Sequence, residues 1–314
     1  MGHILLAARA KVNLTLDILG RRPDGYHEIE SLMQSVDLAD TVRISHGGPG
    51  IEILSDSPDV PADSTNLAAK AALALATSCG ARLGARIQIR KRIPVAAGLA
   101  GGSADAAATL LGLNELWGLG LTTGQLVEIG ARVGADVPFC LTGGTAVARG
   151  KGELIEQLPP LEGVWFVIVV PRIKVSTADV YRQFDDLPTT RRSSTARATD
   201  SIWAGDIEGL AKALGNSLEA VTARRNPEIA RIKEILLARG ALGSVMSGSG
   251  PAVVGLVRSR DSALRICKEI SSSQIAGAFA TGARVFVCST ATAGVRVEER
   301  ECAGRGEELA WWVR

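Results

Sequence analysis

The stretch from Lys91 to Ala107 carries the most informative chemical pattern in this 314-residue chain. Gly98, Gly101 and Gly102 allow the backbone to turn tightly and to approach a ligand closely. Ser103 stands where a helix is expected to begin. Free backbone N–H groups and the positive end of the helix dipole favour an anion there. A phosphate in that position needs no charged side chain. The loop is not a Walker A sequence, because GxxxxGK[ST] occurs nowhere in the chain. Nor is it a dinucleotide fingerprint, because GxGxxG is absent. Spacing alone leaves two readings open: a phosphate cradle over Pro94–Ala104, or a glycine-rich turn with Ser103 as an ordinary helix cap.

The flanking segments suit either reading. Arg86–Ile93 alternates polar and apolar residues, the period-2 mark of a half-buried strand. Ala104–Trp117 is almost wholly small and apolar, which predicts a buried helix. Upstream, Ile4–Leu19 reads as one or two strands interrupted by Lys11 and Asn13. Pro23, Asp24 and Gly25 then make a turn, with proline presetting φ and glycine supplying φ above zero. Val36–Ile44 and Ile51–Leu54 are predicted strands, and Thr65–Ala76 a helix capped by Ser64 or Thr65. Thr123–Val133 is a helix with Thr122 or Thr123 as its cap. Gly143–Gly152 begins a hairpin, and Trp165–Val170 is a central strand by its unbroken apolar run.

Thr189–Ser201 lacks hydrophobic periodicity and is predicted to be a flexible loop. Ile207–Leu214, Leu218–Thr222, Pro227–Arg239 and Ala263–Ile270 are predicted helices. Between them Gly243–Val257 is a second Gly/Ser-rich turn running into a strand. Arg284–Cys288 is expected to be the last strand. Beyond Ser289 the chain becomes charged and ends near Trp311 and Trp312, a tail expected to fray. Strands and helices in two successive sets predict an α+β fold in two halves, residues 1–155 and 156–289, with residues 290–314 as a tail of no assigned role.

Composition excludes several classes. The formal net charge is +2, with 46% hydrophobic and 22% charged residues. No basic-aromatic stripe invites nucleic acid, and no apolar run is long enough to span a bilayer. The five cysteines are dispersed with no CxxC pair, which fits a reducing compartment better than a disulfide framework. Three histidines offer no His/Cys metal-ligand set. The N-terminus lacks a basic leader before a long apolar segment, so a cytoplasmic location is expected.

Three segments, in order, resemble the motifs of the GHMP kinases, the family of galactokinase, homoserine kinase, mevalonate kinase and phosphomevalonate kinase. Ala8–Leu14 resembles the first, Pro94–Ala106 the phosphate-binding second, and Val245–Pro251 the third. The resemblance implies a two-domain α+β fold with the active-site cleft between the domains, and ATP with Mg²⁺ as cofactors. It gives the whole loop to ATP: Pro94, Val95, Ala96, Ala97, Gly98, Leu99, Ala100, Gly101, Gly102, Ser103 and Ala104. It also puts Asn66 and Lys91 near the adenine. The residues of their own accord would be a cap and a solvated strand charge.

Arg22–Glu28, Gly134–Phe139 and Ser176–Thr177 resemble the branch of the family that phosphorylates a diphosphocytidyl sugar alcohol at its 2-hydroxyl. This implies Asp136 as the base and Lys11 as its cationic neighbour, where an ammonium can stabilise emerging negative charge. Taken alone, Asp136 before Pro138 would be a helix cap. Tyr26 and His27 are implied to hold the cytosine by stacking and edge contacts, with Tyr181 on the other face. Asn13 and Thr177 are implied polar contacts to substrate, and the third motif is expected to brace the loop. The sequence departs from the family where Ala97 and Ala100 replace glycine and Ala104 replaces serine. No Mg²⁺ ligand is assigned. The partner is then a small molecule, with no nucleic acid or membrane, and the chain a monomer or homodimer. Two rivals remain at this point: another kinase of the family, such as homoserine or mevalonate kinase, and a non-catalytic nucleotide-binding protein.

Overall fold

One long strand organises the larger sheet. The computed structural model describes residues 2–80, 84–186, 194–271 and 282–301. β1 (His3–Asn13) alternates half-buried and buried residues before becoming buried throughout, and β2 (Thr15–Arg21) follows directly. β3 (His27–His46) pairs with β2 and then β1 along one edge. Its other edge carries the hairpin of β6 (Thr145–Gly150) and β7 (Leu154–Gln157), and also β5 (Ala85–Arg90), which runs parallel to β4 (Ile51–Ser55). On this sheet lie α1 (Leu67–Ser78), α2 (Gly101–Leu116) and α4 (Val137–Thr142), with α3 (Thr123–Val133) packed against these helices. α2 is small and apolar on nearly every face because it is packed between β1, β3, α1 and α4.

The second set of elements begins with β8 (Trp165–Val170), α5 (Thr177–Asp185), α6 (Ser194–Ala204), α7 (Ile207–Ala213), β9 (Gly215–Asn216), α8 (Glu219–Arg225) and α9 (Glu228–Ala238). It continues with β10 (Gly243–Met246), β11 (Val253–Val257), α10 (Arg260–Ser271), β12 (Arg284–Ser289) and β13 (Val295–Glu301). β10, β11, β8 and β12 form an antiparallel sheet in that order. Phe166 and Ile168 of β8 face the core shared with the large sheet, while Val167 and Val169 face a second core under α8, α9 and α10. Both faces of β8 are covered, which explains its unbroken apolar run.

The sheets do not divide the chain cleanly at one point. β9 pairs with β2 and β13 with β1, so late segments return to the first sheet. The tail is therefore not frayed through residue 301, and β12 is not the last strand. Val295 and Val297 pack inward, while Glu298, Glu299, Arg300 and Glu301 put charge on the outer edge, the usual protection of an edge strand. Trp311 and Trp312 lie outside the described residues.

Two other expectations need correction. Thr189–Ser201 was predicted to be loop; residues 189–193 lie outside the described residues, but from Ser194 the chain is α6. Its buried face is Ser194, Thr195, Ala198 and Ile202, too small and polar for a hydrophobic period to register. The face docks through hydrogen bonds: Thr195 N–H reaches Asp17 Oδ2 at 2.7 Å, and its hydroxyl lies 2.7 Å from that of Thr15. α1 is capped not by Ser64 or Thr65 but by Asn66, whose side chain accepts from Ala68 N–H at 2.8 Å.

Candidate active site

The loop from Pro94 to Ala100 joins β5 to α2, and its backbone alternates in hand. φ is +54° at Ala96, +78° at Gly98 and +56° at Ala100. Alternation of this kind turns successive N–H groups to one side and makes an anion-binding concavity. Ala100, in the left-handed region, occupies the N-cap position of α2 and offers no side-chain acceptor. Ser103 is thus not the cap; it sits in the first turn with Gly101 and Gly102, whose N–H groups no side chain caps.

The third glycine segment, the turn between β10 and β11, holds this loop from behind. Ser247 Oγ donates to Gly98 O at 2.9 Å, and Ala252 N–H donates to Ala97 O at 3.1 Å. A Cβ on Gly98 would lie 2.2 Å from Ser247 O. Leu99 O accepts from Lys11 N–H at 3.1 Å, which ties the loop to β1.

A cavity of about 1240 Å³ opens in front of the loop. Of the loop residues from Pro94 to Ser103, all but Leu99 line it; Leu99 and Ala104 are core residues instead. Lys11 and Asp136 meet in the same cavity, with Nζ 3.5 Å from Asp136 Oδ2. Lys11 is 4% exposed, and it donates to Asn13 Oδ1 at 2.6 Å. Asn13 in turn donates to Ser31 Oγ at 2.7 Å, so both ends of its amide are already engaged. Asp136 occupies the N-cap position of α4 but makes no side-chain capping bond. Its carboxylate is a third exposed and remains available to the cavity.

Aromatic groups line the opposite side. Tyr26 is 60% exposed, and the Lys151 ammonium stands 4.8 Å above its ring. The His27 and Tyr181 rings lie 4.9 Å apart with a 35° tilt. Burial pushes the Tyr181 hydroxyl above its ordinary pKa, with the Asp136 charge adding to it. His27 Nε2 is 2.6 Å from Asp185 Oδ1. A carboxylate can only accept, so Nε2 carries the hydrogen and, in the neutral ring, Nδ1 is left as an acceptor. Thr177, at the start of α5, shares a 2.8 Å hydrogen bond with Ser249 of the third glycine segment.

Lys91 and Asn66 also border the cavity, but each has another commitment. Asn66 caps α1, and its amide donates to Pro61 O at 2.7 Å. Lys91 is not a solvated charge: it is held between Asp40 and Asp105 beneath the loop. Burial opposes that ammonium, yet the two carboxylates outweigh it and raise its pKa. Burial pushes the Asp105 carboxyl up to about 7, with Lys91 pulling the other way. Sequence reasoning missed Asp40, Asp105, Lys151 and Asp185. A lone carboxylate in the alanine-rich run of α2 was the available signal for Asp105; the other three had none.

Comparison with known proteins places this arrangement. Family models described as the GHMP kinases N terminal domain and GHMP kinases C terminal match residues 66–144 and 196–276. The chain belongs to the GHMP kinases and is a small-molecule kinase. Its relatives within that family include 4-diphosphocytidyl-2-C-methyl-D-erythritol kinases: that of Gloeobacter violaceus is 44% identical over 306 residues, 96% of this chain and 99% of the relative. A solved 4-(cytidine 5'-diphospho)-2C-methyl-D-erythritol kinase superposes with TM-score 0.72 at 34% identity, covering 91% of this chain and 99% of the other. The homoserine kinase of Cytophaga hutchinsonii superposes with TM-score 0.76 at 24% identity over 94% of this chain and 97% of its own, a likeness of fold alone.

Proposed function

We propose that this chain transfers the γ-phosphoryl group of ATP to the 2-hydroxyl of 4-diphosphocytidyl-2-C-methyl-D-erythritol, a step in non-mevalonate isoprenoid precursor synthesis. The observation that carries the reading is one cavity bordered by a backbone phosphate cradle, an uncapped carboxylate beside a buried ammonium, and a cluster of aromatic rings.

Asp136 takes the proton of the substrate hydroxyl as its oxygen attacks the γ-phosphorus. A new P–O bond forms, the bond to the β-phosphate oxygen breaks, and ADP leaves with that electron pair. Lys11, fixed by Asn13, stabilises the negative charge that develops at the attacking oxygen. The α2 first turn and the loop receive the ATP phosphates, and the Asn66 edge of the cavity receives the adenine; the Lys91 ammonium, engaged by Asp40 and Asp105, is left no part in that contact. Tyr26 and Tyr181 hold the cytosine by stacking. His27, held by Asp185 with Nδ1 as acceptor, suits the exocyclic amine of cytosine. Asn13 acts on substrate through Lys11, while Thr177 offers its hydroxyl directly. Lys151, missed in the sequence, is placed to meet the substrate's diphosphate while holding the Tyr26 ring.

Mg²⁺ is held typically by one or two carboxylates together with nucleotide phosphates and water. The cavity lining includes the Ser103 hydroxyl and the Asp136 carboxylate as oxygen donors. Among the described residues no cluster of three acidic, His or Cys ligands could hold a metal, and a nucleotide-borne ion does not need one. Ser103, which lines the cavity, would hold it with the ATP phosphates, and the ion would neutralise charge on the transferred group. Every residue in this scheme lies in one chain, so the reading needs no second copy. No helix among the described residues is long and apolar enough to cross a membrane. We place the reaction in the cytoplasm, with the ATP pool it draws on.

The test is ADP release by purified protein with ATP and Mg²⁺, offered the diphosphocytidyl compound, mevalonate, homoserine or galactose. Turnover with the cytidyl compound alone is expected. Turnover with a different acceptor would leave the chemistry and discard the cytosine roles of Tyr26, His27 and Tyr181. Silence with all four would put a non-catalytic nucleotide-binding protein in its place.

A further inference from the structure

The Lys91 ammonium lies where the two ends of the phosphate loop come together. Lys91 follows directly on β5, and its Nζ donates to Asp40 Oδ2 at 2.5 Å and to Asp105 Oδ2 at 2.7 Å. Asp40 belongs to β3 and is fully buried; its other oxygen accepts from Arg92 N–H at 2.5 Å and Ile93 N–H at 2.9 Å. Asp105 lies near the start of α2 and is 3% exposed. One ammonium therefore joins the strand that enters the loop, the helix that leaves it and the long strand beneath both. It also abuts the first turn of the helix: a Cβ on Gly101 would lie 3.2 Å from Lys91 Nζ.

Stability gives little reason for this arrangement. A buried ion pair is often no better, and sometimes worse, than apolar side chains of the same volume. Here the cost is visible, since Asp105 Oδ1 is buried with no hydrogen-bond partner. What charges supply and apolar groups do not is a fixed separation and direction between the elements they join.

We propose that Asp40, Lys91 and Asp105 form a clamp that sets the distance between Ile93 and the first turn of α2, and so holds Pro94–Ala100 in the curvature that receives the ATP phosphates. The proposal rests on the reading of that loop as the phosphate site. Its three members are positioning residues: they act on ATP through the loop backbone and leave the acceptor side untouched.

Removing Lys91 alone would strand two buried carboxylates and risks unfolding the protein. The decisive variant combines Lys91→Met and Asp105→Leu with Asp40→Asn, whose amide oxygen can still accept from Arg92 N–H and Ile93 N–H, so that no charge is left buried without a partner. The melting temperature of this variant is expected to stay close to wild type, while KM for ATP rises at least about tenfold, equivalent to about 1.4 kcal/mol of lost binding. KM for the acceptor should stay within about twofold of wild type. A well-folded variant with unchanged KM for ATP, or one in which both KM values rise together, would overturn the clamp. Fluorescent ATP-analogue binding to wild type is measured alongside. If wild type fails to bind, the phosphate reading of the loop falls, and the clamp falls with it; if wild type binds and the variant binds as well, only the clamp falls.

Discussion

The two sides of the cavity are built from different materials. In the proposed reading the working groups on the loop side are backbone N–H donors, and side chains serve to bend and brace that backbone. On the proposed acceptor side they are side chains delivered by β1, β3, α4, α5 and the β6–β7 turn. Backbone donors cannot be removed one at a time by substitution, so damage to the loop must come through its shape. Side chains can be removed singly, so each acceptor-side role can be tested alone. The contrast makes a simple demand: loop variants should change ATP binding, and acceptor-side variants should change turnover or the cytidyl KM.

Asp136→Asn should give the largest effect. The amide keeps the shape of the carboxylate and loses the proton acceptor. General base catalysis is worth about 10²–10⁴-fold, and kcat should fall by that order. ATP binding should hardly change, because Asp136 makes no bond to the loop. Single-turnover assays and nucleotide titration of the same preparation separate the two. Retained kcat would remove Asp136 from the chemistry.

Gly98→Ala comes next and belongs to the other side. Left-handed backbone does not by itself require glycine here, since Ala96 and Ala100 adopt it at φ +54° and +56°. What excludes a side chain at 98 is the Ser247 carbonyl, 2.2 Å from where Cβ would stand. Either the loop or the bracing turn must shift, so KM for ATP should rise by about tenfold or more, in keeping with about 1–3 kcal/mol for a forced backbone conformation. The acceptor KM should move less. Equal movement in both would mean that the loop and the acceptor side are not separable.

The same contrast governs what could be read from the sequence. A backbone site leaves a local trace, because small residues must cluster where the chain bends; Pro94–Ala104 shows it between a legible strand and a legible helix. Of the two readings left open there, the one with Ser103 as an ordinary cap fails, because Ala100 occupies that position. Lys11 and Asp136 leave no local trace at all. Each sits in a segment with an ordinary structural explanation, and only the family resemblance joined them. α6 escaped because its buried face is Ser194, Thr195, Ala198 and Ile202, half of it polar and tied to β2 by hydrogen bonds. The strand at Val295–Glu301 escaped because its charges belong to a sheet edge and read as a solvated tail.

The smallest effects should come from the aromatic rim, where the comparison can be sharpened by two substitutions. Tyr26→Ala removes an exposed stacking surface. Base–aromatic stacking is worth about 1–3 kcal/mol per base, so KM for the cytidyl substrate should rise about tenfold while KM for ATP stays near its starting value. Lys151→Met keeps the length of the side chain and removes only the charge that stands 4.8 Å over the Tyr26 ring. A cation–π contact at such a site is worth about 0.5–1 kcal/mol, which alone predicts a rise of only about two- to fivefold in the same KM. Salt distinguishes what the ammonium does. If Lys151 only steadies the ring, the ratio of variant to wild-type KM should vary little with ionic strength. If it meets the substrate's diphosphate, added salt should raise the wild-type KM more than the variant's, and the two should converge. A Lys151→Met enzyme with the wild-type cytidyl KM at low salt would strip the residue of both roles and leave Tyr26 to hold the base without it.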